Sequence, residues 1–278
     1  MPTREISVLI PTFNEELNIE RCLRACAWSD DVTVFDSFST DRTVEIATSL
    51  GARVIQRKWD SELGQRTAML QVPFKHKWVF NPDADEVATP EFLEEMFRRV
   101  GDAADDVAVF RMRRKDIFQG KWIRHSSVDA YFGRLWRPEL ISFERLINTV
   151  CIAHGKDLKM NERLIHYAFE KGLDDWFAKH NHYSKVEAQI ALTSLEKPMP
   201  KLSELMSSDL MARRLALKEL FAKLPGRPVV RFIYMYIWRR GFLDGTAGLN
   251  YCLMVSFYEF MIVLKAQAML DARKAQQP

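Results

Sequence analysis

The chain has 278 residues, of which 47% are hydrophobic and 28% are charged, a composition that allows a substantial core and excludes wholesale disorder. Its formal net charge of +3 favours neither a nucleic-acid-binding protein nor an acidic solvating protein. The length suits one large domain or a domain with an appendage.

The four cysteines indicate a reducing compartment. They form no CxxC pair and no metal-ligand spacing, and Cys22 and Cys26 stand four residues apart, as on one face of a helix. The first residues contain no basic segment followed by a long apolar run, so we expect no signal peptide. We therefore expect a cytoplasmic protein with reduced thiols.

The first hundred residues alternate between two hydrophobic periods. Short apolar or β-branched runs predict buried strands at 6–10, 31–36, 52–57 and 77–80. Helical spacing predicts helices at 15–26 and 39–51. Ser39 or Thr40 would cap the start of the second helix, and Gly51 its end. Strands alternating with helices imply a parallel α/β sheet with helices on both faces, which binds ligands at the carboxyl ends of its strands.

The rest of the chain changes character twice. Strand-like runs separated by irregular segments between 107 and 170 predict a mixed, partly antiparallel half that forms the other wall of a cleft. The pattern then becomes helical, with helices predicted at 173–196 and 203–224. We therefore predict a first domain at 1–170 and a helical C-terminal region at 171–278.

The C-terminal region is basic and rich in aromatic residues. Residues 211–240 carry eight Lys or Arg and one acid, Glu219, while residues 246–264 carry one charge, Glu259. A spanning helix needs roughly 20 apolar residues, and a carboxylate in mid-span costs about 3 kcal/mol. Three interpretations stay open: contact with an anionic membrane surface, ordinary packing of a helical subdomain, and a true span.

The segment NPDADE at 81–86 places three carboxylates, Asp83, Asp85 and Glu86, in four positions after an apolar run. Such a cluster is either a solvated turn or a site for a hard divalent cation, which prefers carboxylate oxygens and keeps room for phosphate oxygens. Because the cluster follows the fourth predicted strand, at the ligand edge of the sheet, the sequence favours the cation site.

Polar side chains also follow the first two predicted strands. Thr12 and Glu15 face the crevice after the first strand, and Asp36 ends the second strand just before residues that can cap a helix. A carboxylate at a strand end can accept a hydrogen bond from a base N–H or a ribose hydroxyl. The alternative is that the segment only caps the helix.

Several segments, taken in chain order, resemble one enzyme family. PTFNE, DSFSTDRT and DADE look like the motifs of family-2 nucleotide-sugar glycosyltransferases with the GT-A fold. GQRTAML, RLWRPE and LDDWFAKHNHYSKVEA are similar to its lipopolysaccharide-core β-1,4-glucosyltransferase-like branch. The resemblance covers nearly the whole chain. It implies a Rossmann-like mixed sheet with helices on both faces, followed by a C-terminal helical region.

The resemblance also implies roles for the residues at the strand ends. Thr12, Glu15 and Asp36 would hold the nucleoside of the donor, most often uridine. Asp83 would lie near the ribose and the metal, and Asp85 would bind the Mg²⁺ or Mn²⁺ ion that bridges the diphosphate.

Two arginines have two alternative roles each, and two further residues have supporting roles. Arg66 and Arg134 would either contact the donor phosphates or be solvated arginines. Glu86 would support the loop by hydrogen bonds rather than bind metal. His166 is interpreted as a core or cleft histidine.

The family resemblance implies direct displacement at the anomeric carbon with inversion, which requires a base for the acceptor hydroxyl. Asn148 fits the expected segment, but Thr149 stands where a glutamate is expected, and a threonine hydroxyl cannot act as a base near neutral pH. The nearest replacement carboxylates are Asp129 and Glu144. Otherwise the chain is impaired or altered in function.

The leading hypothesis is an inverting, metal-dependent hexosyltransferase. It would move a sugar from a nucleotide-diphosphate donor, such as a UDP-sugar, to a lipopolysaccharide, polysaccharide or lipid-linked glycan. It would be cytoplasmic and peripheral on the inner face of the cytoplasmic membrane. The alternatives are a nucleotidyltransferase, which would usually show a glycine-rich loop after the first strand, and a catalytically impaired, membrane-associated scaffold of the same fold.

Overall fold

The computed structural model describes residues 5–145, 149–196, 198–223 and 226–275. The chain divides into two compact units. The first contains Met1–Ile117 and Asp129–Glu170, and the second contains Phe118–Val128 and Lys171–Pro278. Residues 118–128, which lie inside the first predicted domain, therefore group with the helical unit.

Strands and helices alternate in the first part of the chain, and helices follow. The strands are β1 (Ile6–Thr12), β2 (Val32–Asp36), β3 (Arg53–Gln56), β4 (Trp78–Phe80), β5 (Glu86–Val87), β6 (Val107–Phe118), β7 (Lys121–Trp122), β8 (Phe132–Trp136), β9 (Ile141–Glu144), β10 (Val150–Ala153) and β11 (Lys156–His166). The helices are α1 (Ile19–Ala25), α2 (Thr43–Ser49), α3 (Glu62–Met69), α4 (Pro90–Gly101), α5 (Gly172–Glu196), α6 (Leu202–Leu205), α7 (Leu210–Lys223), α8 (Arg227–Ile233) and α9 (Gly245–Ala275).

The main sheet is mixed, as the sequence predicted. Its strands run in the order β3-β2-β1-β4-β8-β6-β11-β5. The first four are parallel, β8 is antiparallel to both neighbours, and β6 and β11 are parallel to each other. The strands β9 and β10 form a separate antiparallel pair. Since β1, β2 and β4 are parallel, their carboxyl ends meet at one edge, which is where such sheets bind ligands.

The core of the first unit lies on both faces of this sheet. Along β1, Val8 and Ile10 belong to one buried cluster, whereas Leu9 belongs to the other. This alternation follows because successive side chains of a strand point to opposite faces. The first cluster includes residues of α1, α2 and α4, and the second includes Met69 of α3 together with Cys151 of β10.

The second predicted helix begins later than expected. The sequence suggested Ser39 or Thr40 as its N-cap, but α2 begins at Thr43. The reason is that the polar groups of 39–40 are engaged elsewhere. The Ser39 hydroxyl donates to Asp36 at 2.5 Å, and the Thr40 N–H donates to Asn14 Oδ1 at 2.8 Å. Gly51 does adopt the left-handed conformation expected after a helix end, with φ of 80°.

The helical unit confirms one predicted helix and divides another. The helix predicted at 173–196 is α5. The helix predicted at 203–224 is two helices, α6 and α7. Asp209 separates them, because its carboxylate accepts the N–H of Met211 at 2.8 Å and so caps the start of α7.

The longest helix of the described residues is α9. The stretch Gly241–Ala275 is the one described segment long and apolar enough to cross a membrane by length and composition, with a mean hydropathy of 1.5 over its most apolar window. Glu259, its central acid, forms an ion pair with Arg227 of α8. The carboxylate that made a span costly in the sequence is therefore paired within the helical unit.

Candidate active site

The ends of β1 and β2 are joined through Asp36, which is fully buried. Its carboxylate accepts the Thr12 hydroxyl at 3.0 Å, the Ser39 N–H at 2.9 Å and the Gln56 amide at 3.0 Å. The Ser39 hydroxyl adds a fourth bond. A carboxylate has about four lone-pair sites, so Asp36 is saturated within the protein. In this conformation Asp36 shapes the loop after β2, and its contact with the donor nucleoside stays a prediction of the family resemblance.

Glu15 is tied to the start of α1. Its N–H donates to Thr43 Oγ1 at 2.7 Å, and its carboxylate accepts the Asn18 amide at 2.9 Å. Nearby, the N–H of Asn14 donates to Ser39 Oγ at 2.8 Å. These bonds lock the loops after β1 and β2 together, so the two strand ends form one rigid edge.

Asp83 lies between two arginines. Arg66 Nη2 is 3.1 Å from its Oδ1 atom, and Arg134 forms an ion pair with Oδ2. Burial alone would raise the pKa of Asp83, but Arg134 and Arg66 outweigh it and hold that pKa well below its usual range. Arg66 also donates to Asn81 Oδ1 at 3.0 Å. Neither arginine is a solvated surface residue, because their side chains are only 18% and 7% exposed.

Glu86 stabilises this arrangement through contacts with both Arg134 and Asp83. It is buried, lies 2.8 Å from Arg134 Nη2, and accepts the Asp83 N–H at 3.0 Å. Arg114 Nη1 is 3.4 Å from the same carboxylate. Burial would lower the pKa of Arg134, but Asp83 and Glu86 raise it above its ordinary value. Glu86 therefore holds the acidic loop in place, as the sequence suggested.

Asp85 has a different partner, His166 at the end of β11. Nε2 of His166 is 3.3 Å from Asp85 Oδ2, and Nδ1 is 2.6 Å from Asp116 Oδ1. Burial would lower the pKa of His166, but the two carboxylates outweigh it and raise the pKa to about 9. Burial likewise opposes ionisation of Asp85, yet His166 holds the pKa of Asp85 below its ordinary value. The Tyr167 N–H fixes the loop by donating to the Asp85 carbonyl at 2.9 Å.

The two aspartates are thus unequal as metal ligands. Each oxygen of Asp83 accepts a hydrogen bond from an arginine, whereas Asp85 keeps one carboxylate oxygen that no described residue hydrogen-bonds. Among the described residues, no three His, Cys, Asp or Glu side chains are grouped to hold an ion. Mg²⁺ commonly takes one or two protein carboxylates and completes its shell with substrate phosphates and water. The donor set at Asp85 fits an ion of that kind and does not fit an ion held by protein ligands alone.

The helix α3, which follows β3, contributes further side chains near the carboxyl ends of β2 and β4. Gln65 of α3 donates to Ser37 Oγ at 2.8 Å, beside the end of β2, while Arg66 reaches the loop after β4. Sequence reasoning missed four residues of this edge: Gln65, Asn81, Asp116 and Arg114. Gln65 lies in the segment GQRTAML and Asn81 in NPDADE, both of which were recognised. The signal that could have identified them is their side-chain amide, which can both donate and accept hydrogen bonds.

The two carboxylates predicted as bases lie in different surroundings. Asp129 pairs with Arg163 at 2.5 Å and with Arg113 at 3.1 Å, and hydrogen bonding from Arg163 is the main cause of its lowered pKa. A carboxylate held so strongly in its ionised form is a weak base. Glu144 is exposed on β9, next to Phe143, which packs against the core. Since adjacent strand residues point to opposite faces, Glu144 faces away from that packed side.

Thr149 follows three residues, Asn148 among them, that lie outside the described part of the chain. Its hydroxyl donates to the Arg145 carbonyl at 3.3 Å. Its N–H donates to the carboxylate of Glu62, the first residue of α3, at 3.2 Å. The position at which a glutamate was expected is therefore next to a glutamate from another element.

The chain matches known proteins over most of its length. The family model for glycosyl transferase family 2 matches residues 7–158. An uncharacterized glycosyltransferase of Rickettsia bellii is 30% identical over 213 residues, which is 70% of either chain. The lipopolysaccharide core biosynthesis glycosyltransferase LpsC of Rhizobium meliloti is 22% identical over 285 residues, which is 92% of either chain.

Two solved structures are also similar. TarS 1–349 of S. aureus has a TM-score of 0.42 at 15% identity, covering 98% of this chain and 92% of that one. Glucosyl-3-phosphoglycerate synthase of Mycobacterium tuberculosis has a TM-score of 0.36 at 20% identity, covering 49% and 57%. The family match spans more than half of the chain and includes the carboxyl ends of β1, β2 and β4. The chain belongs to glycosyl transferase family 2 and has the α/β GT-A class of fold with a C-terminal helical region.

Proposed function

We propose that this glycosyltransferase moves a hexose from a UDP-sugar to a lipid-linked or lipopolysaccharide glycan, with inversion at the anomeric carbon. One observation carries the donor part. At the end of β4, Asp83 is neutralised by Arg66 and Arg134, while Asp85, two residues further along the same loop, keeps an oxygen that no described residue hydrogen-bonds. Guanidinium groups bind phosphate oxygens and carboxylates bind divalent cations, so this combination suits a diphosphate that carries a divalent cation.

Asp85 would hold Mg²⁺ or Mn²⁺ through its carboxylate. When bound, the ion would neutralise charge on the departing nucleoside diphosphate. Asp83 would keep Arg66 and Arg134 aligned rather than bind the ion directly. Arg66, which is partly exposed at the edge, would donate to the donor phosphates.

The nucleoside would lie at the ends of β1 and β2. Phe13 and Phe38 follow these strands and are 54% and 52% exposed, and aromatic rings at such positions can stack on a nucleobase. Thr12 and Asp36 would fix the loops that carry the two rings, and Glu15 would hold the first loop against α1. In this proposal, Asp36 acts through loop shape.

The acceptor is proposed from the C-terminal unit and from one relative. The relative named for lipopolysaccharide core biosynthesis aligns over 92% of this chain, so a similar lipid-borne glycan is the favoured acceptor. The helix α8 continues into a π-helical turn, Tyr234–Trp238. Large apolar side chains recur every four residues along both and form one exposed face, which consists of Val229, Val230, Ile233, Tyr234, Ile237 and Trp238.

Basic residues accompany this apolar face. Arg239 and Arg240 follow the π-helical turn directly, and Trp238 is 81% exposed. Met235, on the opposite side of the turn, is buried in the unit. A helix with exposed Trp and Tyr beside arginines is typical of binding at an anionic lipid surface. We propose peripheral contact with the inner leaflet of the cytoplasmic membrane, which would bring the enzyme to its acceptor.

A thermal-shift screen of nucleotide sugars tests the donor part. A ligand that binds only the folded chain raises its melting temperature, so the true donor should stabilise it in the presence of Mn²⁺ and less without it. Release of UDP from the stabilising donor would then demonstrate transfer or hydrolysis. Binding without release would favour the scaffold alternative, and the absence of any stabilising UDP-sugar would contradict the proposal. Family membership already favours glycosyl transfer over the nucleotidyltransferase alternative.

A further inference from the structure

Three basic side chains of the first unit converge around one aspartate and one tyrosine. Arg113 of β6 and Arg163 of β11 both pair with the Asp129 carboxylate, at 3.1 Å and 2.5 Å. The guanidinium of Arg113 also lies 5.0 Å from the centre of the Tyr131 ring, and the ammonium of Lys159 lies 4.7 Å from the same centre. We call these five residues the Tyr131 cluster. None of them belongs to the donor site described above.

The Tyr131 cluster carries an excess of positive charge, since it contains three cations and one carboxylate. Arg113 and Arg163 are direct neighbours in the parallel pairing of β6 and β11, and like charges at paired positions destabilise a sheet. Asp129 offsets this repulsion only in part, because one carboxylate faces two guanidinium groups. Local conflicts of this kind are expected at functional sites, and a ligand with negative charge would relieve this one.

An irregularity in β11 allows Lys159 and Arg163 to reach the same cluster. Residues 159 and 163 stand opposite residues 111 and 113 of β6, so four steps along β11 cover two steps along β6. In a regular strand, residues four apart would be separated by about 13 Å. Bulges redirect side chains in this way and are frequent next to active sites.

The bulge is held in place by a buried carboxylate. Glu95 of α4 is 7% exposed and accepts the N–H groups of Asn161 at 3.0 Å and of Glu162 at 2.8 Å. A bulge interrupts the ladder of strand hydrogen bonds, so its amides need such a partner. Burial would raise the pKa of Glu95, but these amides outweigh it and keep that pKa below its ordinary value. The bulge, and with it the placement of Lys159 and Arg163, is therefore built into the fold.

Arg113 is oriented by its neighbours and still accessible. Asp129 accepts one of its N–H groups, the Tyr131 ring lies beside its guanidinium, and its side chain is 26% exposed. An arginine held in this way loses less side-chain entropy when it binds a ligand, and a guanidinium matches the oxygens of a phosphate or a carboxylate. Lys159, exposed beside the same ring, supplies a further cation.

The Tyr131 cluster lies on the face of the sheet that α3 covers. Val109 and Arg113 are four residues apart on β6, so their side chains share a face. Val109 packs in the buried cluster that contains Met69 of α3. Since α3 also carries Arg66, a glycan bound at the Tyr131 cluster is on the side of the sheet from which Arg66 reaches the proposed donor site.

We propose that the Tyr131 cluster binds an anionic group, a phosphate or a carboxylate, on the acceptor glycan, and so selects acceptors that carry one. Arg113 and Lys159 contact the anionic oxygens, while Asp129 positions the two arginines. The negative charge of the glycan balances the excess positive charge of the cluster. This site rests on the proposed function, because that function supplies the glycan.

The experiment uses the full chain with UDP and Mg²⁺ in excess, so that a sugar anion does not occupy the proposed donor site. Glucose 6-phosphate, glucuronate and uncharged glucose are titrated at constant ionic strength while the melting temperature is followed. We expect at least one of the two anionic sugars to raise the melting temperature of wild type, and glucose to leave it unchanged. A response to one anion alone identifies phosphate or carboxylate as the group that the cluster selects.

Two variants and a matched control test where the anion binds. Arg113→Gln and Lys159→Gln should each raise the apparent Kd of the anionic sugar about tenfold or more, because charge-assisted hydrogen bonds are the strong ones. Lys156→Gln should bind like wild type, since Lys156 is an exposed lysine of the same strand that pairs with Asp106 instead. All three variants should keep the wild-type melting shift with UDP and Mg²⁺.

The outcomes for the anion site and for the donor site are distinguishable. Anionic sugars that stabilise wild type no more than glucose does, or that stabilise both variants as well as wild type, overturn the anion site while UDP binding is intact. If Arg113→Gln is too unstable to measure, Lys159→Gln decides alone, because its side chain is exposed. A wild-type chain that no UDP-sugar stabilises overturns the proposed function instead.

Discussion

The Nε2 atom of His166 lies 3.3 Å from Asp85 Oδ2, and the opposite ring nitrogen lies 2.6 Å from Asp116. One imidazolium therefore joins the acidic loop after β4 to the strand β6. The pairing links the stability of the fold to the protonation of His166, since its pKa rises from 6.5 to about 9 on folding.

The first prediction concerns the pH dependence of folding. A raised folded-state pKa contributes stability that is fully present below pH 6.5 and is lost as the pH rises through 9. The contribution is up to about 3 kcal/mol. Urea unfolding in metal-free buffer at pH 6, 7.5 and 9.5 should show this decline for wild type and not for His166→Gln. The exposed His182→Gln is the control and should keep the wild-type slope. An unchanged slope in His166→Gln would contradict the assignment.

The second prediction concerns the metal. Asp85→Asn removes the carboxylate that is proposed to bind the ion, so Mn²⁺ should no longer increase the thermal stabilisation given by the UDP-sugar donor, and metal-dependent transfer should be abolished. Asp102→Asn, an exposed position at the end of α4, should behave like wild type. Full metal-dependent activity in Asp85→Asn would rule out the metal-binding role.

The sequence predicted where this site lies better than it predicted which of its side chains contact each other. The end of β4 was expected to lie beside the ends of β1 and β2, because buried strands alternating with helices make a parallel sheet whose polar strand ends converge. That expectation depends on local periodicity alone. The α/β arrangement could be inferred for the same reason, whereas the GT-A type of fold came from the family resemblance.

The contacts within the site depend on long-range register, which periodicity does not fix. Asp116 meets His166 because β6 and β11 pair with that alignment, 50 residues apart in sequence. Arg134 meets Asp83 across 51 residues through the antiparallel β4–β8 pair. For the same reason Ser39, a plausible helix cap by local rules, is used by Asp36 instead. Each of these contacts joins residues that a reading of short segments treats separately.

The third prediction concerns Arg134, which neutralises Asp83 and the buried Glu86. Arg134→Met leaves Glu86 as a buried carboxylate with a weaker partner, and breaking such a pair typically costs about 3–5 kcal/mol. Urea denaturation should show that loss. The double variant Arg134→Met, Glu86→Gln should recover part of it, because the unpaired buried charge is removed. If Arg134→Met unfolded like wild type, the ion pairs would be shown to contribute little.

The fourth prediction concerns the apolar face of α8 and the π-helical turn that continues it. Full-length protein should float with vesicles that contain anionic phosphatidylglycerol, and should float less with neutral vesicles or at high salt, since arginine attraction is screened. Trp238→Ala should weaken vesicle binding about tenfold or more, because burying a large side chain contributes about 2 kcal/mol. Trp59→Ala, which removes a 54% exposed tryptophan of the first unit, is the matched control and should bind like wild type.

Extraction distinguishes the two membrane arrangements that α9 permits. A peripheral protein should leave cell membranes in alkaline carbonate, whereas a chain with Gly241–Ala275 inserted as a span should resist it. Glu259→Leu should leave extraction unchanged if α9 stays packed in the helical unit. Loss of the Glu259–Arg227 ion pair should nevertheless lower the melting temperature. Protein that stays in carbonate-washed membranes would favour a span, and equal flotation with anionic and neutral vesicles would exclude the electrostatic part of the proposal.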